Sequence, residues 1–198
     1  MHTLILASSS PRRSAMLREL GIIFETMPGS FHEPPHAHGQ SPRHYVKANA
    51  RGKALQAATS LDRGIVIGAD TAVVIDGQVL GKPASMDEAR RYLSILNGRT
   101  HEVLTGICLA DASCTNRVLV EAAKTRVSFR SLNTHEIECY LHRIDPLDKA
   151  GAYAIQGHGA LIVERISGCF YNVVGFPLAL LETMLLQWGI SLFDYTHT

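Results

Sequence analysis

Asp76-Gly77 lies between two short strand-like runs, Ala72–Ile75 and Gln78–Leu80, and no other feature restricts the possible folds of this chain as much. A two-residue connection of this type specifies a tight hairpin, because both residues tolerate the positive φ the turn demands. A hairpin makes antiparallel neighbours. A purely parallel sheet is therefore excluded, although helix and strand signals interleave elsewhere. The residues lead us to expect an α/β chain with a mixed sheet.

The remaining elements follow from caps and periodicity. Leu4–Ala7 reads as a short buried strand. Ser10 as N-cap, Pro11 at the first helical position and Gly21 as the stop predict a helix. Ser41-Pro42 opens a second, running to about Ser60, and Ile65–Ala69 is an apolar strand. Ser85-x-x-Glu88 is a capping box for a helix stopping at Gly98, and Asn133-x-x-Glu136 caps another through about Arg143. Glu102–Ala110 and Val118–Phe129 read as longer strands joined by a polar loop, Ala160–Ile166 as a strand, and Pro177–Trp188 as a final amphipathic helix. The sequence contains no internal repeat.

With 198 residues, 46% of them hydrophobic, the chain can bury a core without disulfides or metal, as one domain of one or two lobes. Nineteen basic residues against eighteen acidic ones leave no global bias toward nucleic acid or membrane, so any anion site must be local. The four cysteines form no CxxC pair and read as reduced thiols. The apolar stretch near the N-terminus is too short for a signal peptide, and no run is long enough to cross a bilayer. A soluble cytoplasmic protein is expected.

Two basic residues fall where periodicity calls for apolar ones. Arg13 shares a face with Met16, Leu17 and Leu20, and Lys53 interrupts the stripe of Val46, Ala50 and Ala57. An unpaired charge on a buried stripe costs several kcal/mol (order of magnitude), so each must snorkel, pair, or line a cleft. Two such residues on two helices favour the basic-lined cleft. Arg12 and Arg13 also occupy the first turn of a helix, where free N–H groups and the dipole already favour anions. Arginines there make sense if an anion neutralises them; solvated arginines on an ordinary capped helix are the alternative.

Gly77–Lys82 superficially resembles a phosphate-binding P-loop but has the wrong glycine spacing, and Pro83 follows the lysine. Lys82 on its Gly-Pro bend still suits a point charge for phosphate. Asp70 directly follows the Ile65–Ala69 strand and is either a carboxylate at a strand end, where open α/β sheets place ligand chemistry, or a helix or turn cap. Glu33 is the other acid of interest. His32, His36 and His38 sit in a loop with Pro34, Pro35 and Gly39 and share no fixed face, which argues against a transition-metal site. Arg43, Lys47, Arg51 and Lys53 share no single helical face and have no interleaved aromatic platform, which argues against nucleic-acid binding.

Six segments then occur together in order: Leu6-Ala-Ser-Ser-Ser-Pro-Arg-Arg13, Ile67-Gly-Ala-Asp-Thr71, Gly81-Lys-Pro83, Leu96-Asn-Gly-Arg-Thr-His101, Asp148-Lys-Ala-Gly-Ala-Tyr-Ala-Ile-Gln-Gly157 and Val174-Gly-Phe-Pro-Leu178. With them the chain resembles, over almost its whole length, the Maf (septum-formation-inhibitor-like) nucleotide pyrophosphatases. The resemblance implies an α/β fold with an elongated mixed sheet flanked by helices, and two lobes around a deep cleft, related to the ITPase-like enzymes. It implies hydrolysis of a nucleoside triphosphate between the α and β phosphates, assisted by Mg²⁺ or Mn²⁺, with Asp70 and Glu33 as candidate metal ligands. Asp70 matches the family's proton acceptor, and Ser8, Arg12, Arg13, Glu33, Lys53 and Lys82 match its other polar cleft positions. Arg12, Thr71 and Gln156 match the specificity positions of the branch favouring dTTP and UTP. Ala154 stands where glycine is usual, and Phe176 where leucine is usual. A homodimer is expected by analogy alone, and a link to cell-division arrest comes with the family's name. A nucleotide-binding regulator of septum formation without hydrolysis is the competing class of answer.

Overall fold

The structure, a computed structural model, describes residues 2–196. Strands β1 (Leu4–Ala7), β2 (Glu25–Thr26), β3 (Ile65–Ile75), β4 (Gln78–Leu80), β5 (Thr100–Asp111), β6 (Cys114–Phe129) and β7 (Val163–Ser167) form a seven-stranded sheet ordered β2-β1-β3-β5-β6-β7, with β4 paired to β3. β1 runs parallel to β2 and β3, with Leu4 opposite Ile65 and Ala7 opposite Gly68. β4 is antiparallel to β3, Val73 facing Leu80, and β7 is antiparallel to β6. The sheet is mixed, as the Asp76-Gly77 hairpin requires. Asp76 and Gly77 have φ of 50° and 77°, the left-handed pair this turn needs.

The helices are α1 (Pro11–Glu19), α2 (Pro42–Ala58), α3 (Met86–Leu96), α4 (Thr134–Leu141), α5 (Phe170–Val174) and α6 (Leu178–Leu186). Their starts follow the local chemistry. Asn133 and Glu136 form a reciprocal capping box, and Ser85 accepts from the Glu88 N–H. The Glu88 carboxylate reaches back to Ala84 N–H rather than to the cap residue. Ser10 occupies the N-cap position of α1, but its side chain makes no cap bond; Ser8 Oγ instead accepts from Ser10 N–H at 3.2 Å.

Three expectations differ from the structure. Ile65–Ala69 and Ala72–Ile75 are not separate strands with Asp70 at an end; they are one eleven-residue strand, with Asp70 at its sixth position. The polar Asp-Thr step breaks the apolar run in the sequence without breaking the ladder. The loop expected between β5 and β6 is likewise only Ala112-Ser113, and Ala160–Leu161 belongs to a short 3-10 turn before β7. The two-residue strand β2, helix α5 and the 3-10 turns at Pro146–Asp148, Ala150–Ala152 and Leu192–Tyr195 carry no signal strong enough to be read in advance.

The chain divides into two compact units, one comprising 1–70, 105–123 and 175–198, the other 71–104 and 124–174. In the first, Ala50, Ala54 and Ala57 of α2 pack with Ile5, Ala7, Val66, Cys108 and Ala110. α2 lies so close to the strands that a Cβ on Gly68 would sit 2.2 Å from Ala50 O, and one on Gly106 would sit 2.3 Å from Val46 O. In the second unit, Val73, Leu80, Leu93, Leu96, Phe129, Tyr140 and Tyr153 lead a larger core. Fully burying a side chain such as Leu93 contributes about 1.5–3 kcal/mol. Among the described residues no helix is long and apolar enough to cross a membrane, and all four cysteines are free thiols.

Candidate active site

Asp70 is 6% exposed in the middle of β3. A carboxylate there requires compensation, and α2 supplies it. Asn49 and Lys53, one turn apart, share the helix face pressed toward β3. Asn49 Nδ2 donates to Asp70 Oδ2 at 3.0 Å, and Lys53 Nζ donates to Asp70 Oδ1 at 2.7 Å. Lys53 also reaches Ala69 O at 3.3 Å and Glu33 Oε1 at 2.6 Å. Two carboxylates thus converge on one ammonium. Glu33 arrives from the segment between β2 and α2, which has no regular secondary structure, and it remains half-exposed.

Arg13 enters the same unit from the first turn of α1. It is buried, donating from Nε to Gly175 O at 2.8 Å and from Nη1 to Ser8 Oγ and Ala69 O, both at 3.0 Å. Burial lowers its pKa, the Asp70 carboxylate opposes that, and neighbouring Arg12 adds to it. A guanidinium stays protonated in proteins regardless. Its charge is fixed in place by the backbone carbonyls of Ala69, the residue before Asp70, and Gly175. Tyr45, one turn before Asn49, has its phenol raised by burial, opposed by its hydrogen bond to Asn49, and raised further by Asp70 and Glu33.

Of the expected site residues, the structure joins Ser8, Arg13, Glu33, Lys53 and Asp70 in one contact network, with Arg12 half-buried beside Arg13. Lys82, Thr71 and Gln156 belong to the second unit. There, exposed Lys82 meets Asp148 at 3.1 Å, and the carbonyl of Gly81 accepts from Gly151 N–H at 3.0 Å. Asn49 and Asp148 had not been singled out as site residues. The signal for Asn49 is its position four residues before Lys53 on an otherwise alanine-rich face.

Lys47 and Arg43, part of the basic set on α2, pair with Glu121 at 3.4 and 3.6 Å. His36 bonds Gln40 O and stacks edge-on against Tyr45. Among the described residues no three His, Cys, Asp or Glu side chains converge into a metal cage. The Asp70–Glu33 pair around one ammonium nevertheless suits the mode in which Mg²⁺ takes one or two carboxylates and completes its shell with water and substrate phosphate.

Comparisons with known proteins place the chain among relatives. A protein named dTTP/UTP pyrophosphatase from Pelotomaculum thermopropionicum is 44% identical over 191 residues, covering 96% of this chain and 99% of that one. Another of that name from Moorella thermoacetica is 45% identical over 191 residues, covering 96% and 97%. Among solved structures, the Ham1 protein of Staphylococcus aureus matches with a TM-score of 0.53 at 15% identity, covering 94% of this chain and 99% of that one, a likeness of fold. The family profile described as Maf-like protein matches residues 3–188, and this chain belongs to that family.

Proposed function

We propose that the protein hydrolyses dTTP and UTP to the monophosphate and pyrophosphate in the cytoplasm, with Asp70 activating the attacking water. The supporting observation is the convergence of Asp70 and Glu33 on Lys53, in a chain 44% identical over nearly its full length to a protein named for this reaction.

A triphosphate presents several negative charges that repel a nucleophile, so such sites work by positioning and charge compensation. Lys53 would bind phosphate while holding Asp70 by its Oδ1, leaving a lone pair of the carboxylate to orient and deprotonate water. Asn49 fixes the other oxygen, so the carboxylate cannot rotate out of line. Arg12 would bind phosphate from the start of α1. Arg13 adds charge from the wall of the site while fixing Ser8 and the Ala69 carbonyl. Lys82 would act as a point charge for phosphate, and Thr71 and Gln156, with Arg12, would read the pyrimidine base. A Mg²⁺ or Mn²⁺ held by Asp70 and Glu33 would lower the pKa of water and neutralise developing charge.

Asp70→Asn preserves the shape of the side chain and removes its charge. The expected result is a loss of pyrophosphate release of at least about a hundredfold with an unchanged circular dichroism spectrum. Near-normal turnover in that variant would remove Asp70 from the role. Tight dTTP binding by the wild type with no pyrophosphate formed would instead favour the non-hydrolysing regulator.

A further inference from the structure

Gln156 lies in a stretch of the second unit with no helix or strand of its own, between the 3-10 turns Ala150–Ala152 and Gly157–Leu161. An exposed side chain on such a stretch reads a base well only if its backbone is held still. The phenol of Tyr140 does this from α4. Its Oη donates to Ala154 O at 3.2 Å and accepts from Ala154 N–H at 3.0 Å, so one hydroxyl satisfies both backbone groups of one residue, as a neighbouring strand would. Tyr140 is 2% exposed, near the C-terminal end of a helix whose first turn is locked by the Asn133–Glu136 capping box.

The rest of the stretch leaves little slack. Tyr153, buried beside Ala154, has its hydroxyl 2.8 Å from His101 Nε2, and its ring packs edge-on against both His101 and Phe129. After Gln156 the chain closes back on itself: Gly159 N–H donates to Gln156 O at 3.2 Å, and a Cβ on Gly159 would lie 2.2 Å from Ala154 O. Ala154 is thus held by Tyr140 and closely approached by Gly159, with Gln156 between Ala154 and Gly159 in the chain. Burial pushes the Tyr140 phenol up to about 12, opposed by its bond to Ala154, so it keeps the proton it donates throughout the working pH range.

We propose that Tyr140 is a positioning residue for base discrimination: by clamping both backbone groups of Ala154 it fixes the loop that presents Gln156. This rests on the base-reading role given above to Gln156.

The test compares Tyr140→Phe, Gln156→Ala and the double variant, using dTTP and dGTP as substrates. Tyr140→Phe keeps the ring and its packing and removes only the hydroxyl. The expected result is a fall in kcat/KM for dTTP on the order of tenfold, with dGTP turnover changed much less. Adding Tyr140→Phe to Gln156→Ala should then change the dTTP to dGTP ratio little further. Backbone amide exchange across 153–157 should accelerate in Tyr140→Phe. Unchanged exchange there, or equal loss on both nucleotides while Gln156→Ala alone is selective, would overturn the clamp and leave the Gln156 reading standing. A Gln156→Ala variant that loses both substrates equally would remove that reading and this proposal with it.

Discussion

Lys53 offsets two carboxylates at once, and the way it does so shows how charge is managed in the first unit. Asp70, Glu33 and Lys53 alone would leave a net negative site; Arg13 and Arg12 bring it back to a basic balance. Arg13 is held through its guanidinium by the carbonyls of Ala69 and Gly175. The second unit contains the opposite case, a titratable group kept neutral. His101 is 1% exposed, and burial lowers its pKa from the ordinary 6.5 to about 4. The unfolded chain therefore takes up a proton below pH 6.5 that the native state refuses. The stability this contributes is fully present above 6.5 and is lost as pH falls toward 4, about 3 kcal/mol in all. We expect His101→Leu, which cannot take up the proton, to lose roughly 2 kcal/mol of the decline in unfolding free energy between pH 7.5 and pH 5, measured by urea denaturation. An identical pH slope in the variant would show that His101 is not the group responsible.

At the scale of elements, α2 is the piece on which the site depends. It approaches the strands over glycine rather than over larger side chains, and that proximity lets Asn49 and Lys53 reach Asp70 at hydrogen-bond distance. Gly106→Ala would place a methyl group 2.3 Å from Val46 O, a contact with helix backbone that no rotamer can relieve. The expected cost is about 1–3 kcal/mol of stability, with a fall in dTTP turnover of ten- to a hundredfold as α2 shifts. Wild-type melting temperature and activity in this variant would mean that the close approach does not matter. The sequence already contained α2, the hairpin and both capped helices, because each rests on a strong local signal: Ser-Pro, Asp-Gly, and Asn or Ser with Glu three residues on. It did not contain the continuity of β3. An aspartate inside an apolar run looks like an end, and only the partners on α2, distant in sequence, make it tolerable mid-strand. Asn49 was unread for the same reason, since its value depends on where Asp70 lies. Tyr140 carries no signal in the sequence, because its hydroxyl bonds a backbone segment without periodicity.

At the scale of the whole molecule, a net charge of only +1 means that any attraction for a polyphosphate is created locally. The chain crosses between its two units directly after Asp70, so the carboxylate and Thr71 are covalent neighbours assigned to different units. The family was legible from six short motifs because they occur together and in order, whereas the 3-10 turns around Gln156 follow from packing that no local pattern encodes. In the proposed reaction, water activated at Asp70 attacks the α phosphorus of a pyrimidine triphosphate. Hydrolysis of dTTP in water enriched in a heavy oxygen isotope, with mass analysis of the products, tests it most directly. The expected result is one labelled oxygen in dTMP, unlabelled pyrophosphate, and at least about a hundredfold less of both from Asp70→Asn. Label in pyrophosphate, or release of dTDP and inorganic phosphate, would contradict it.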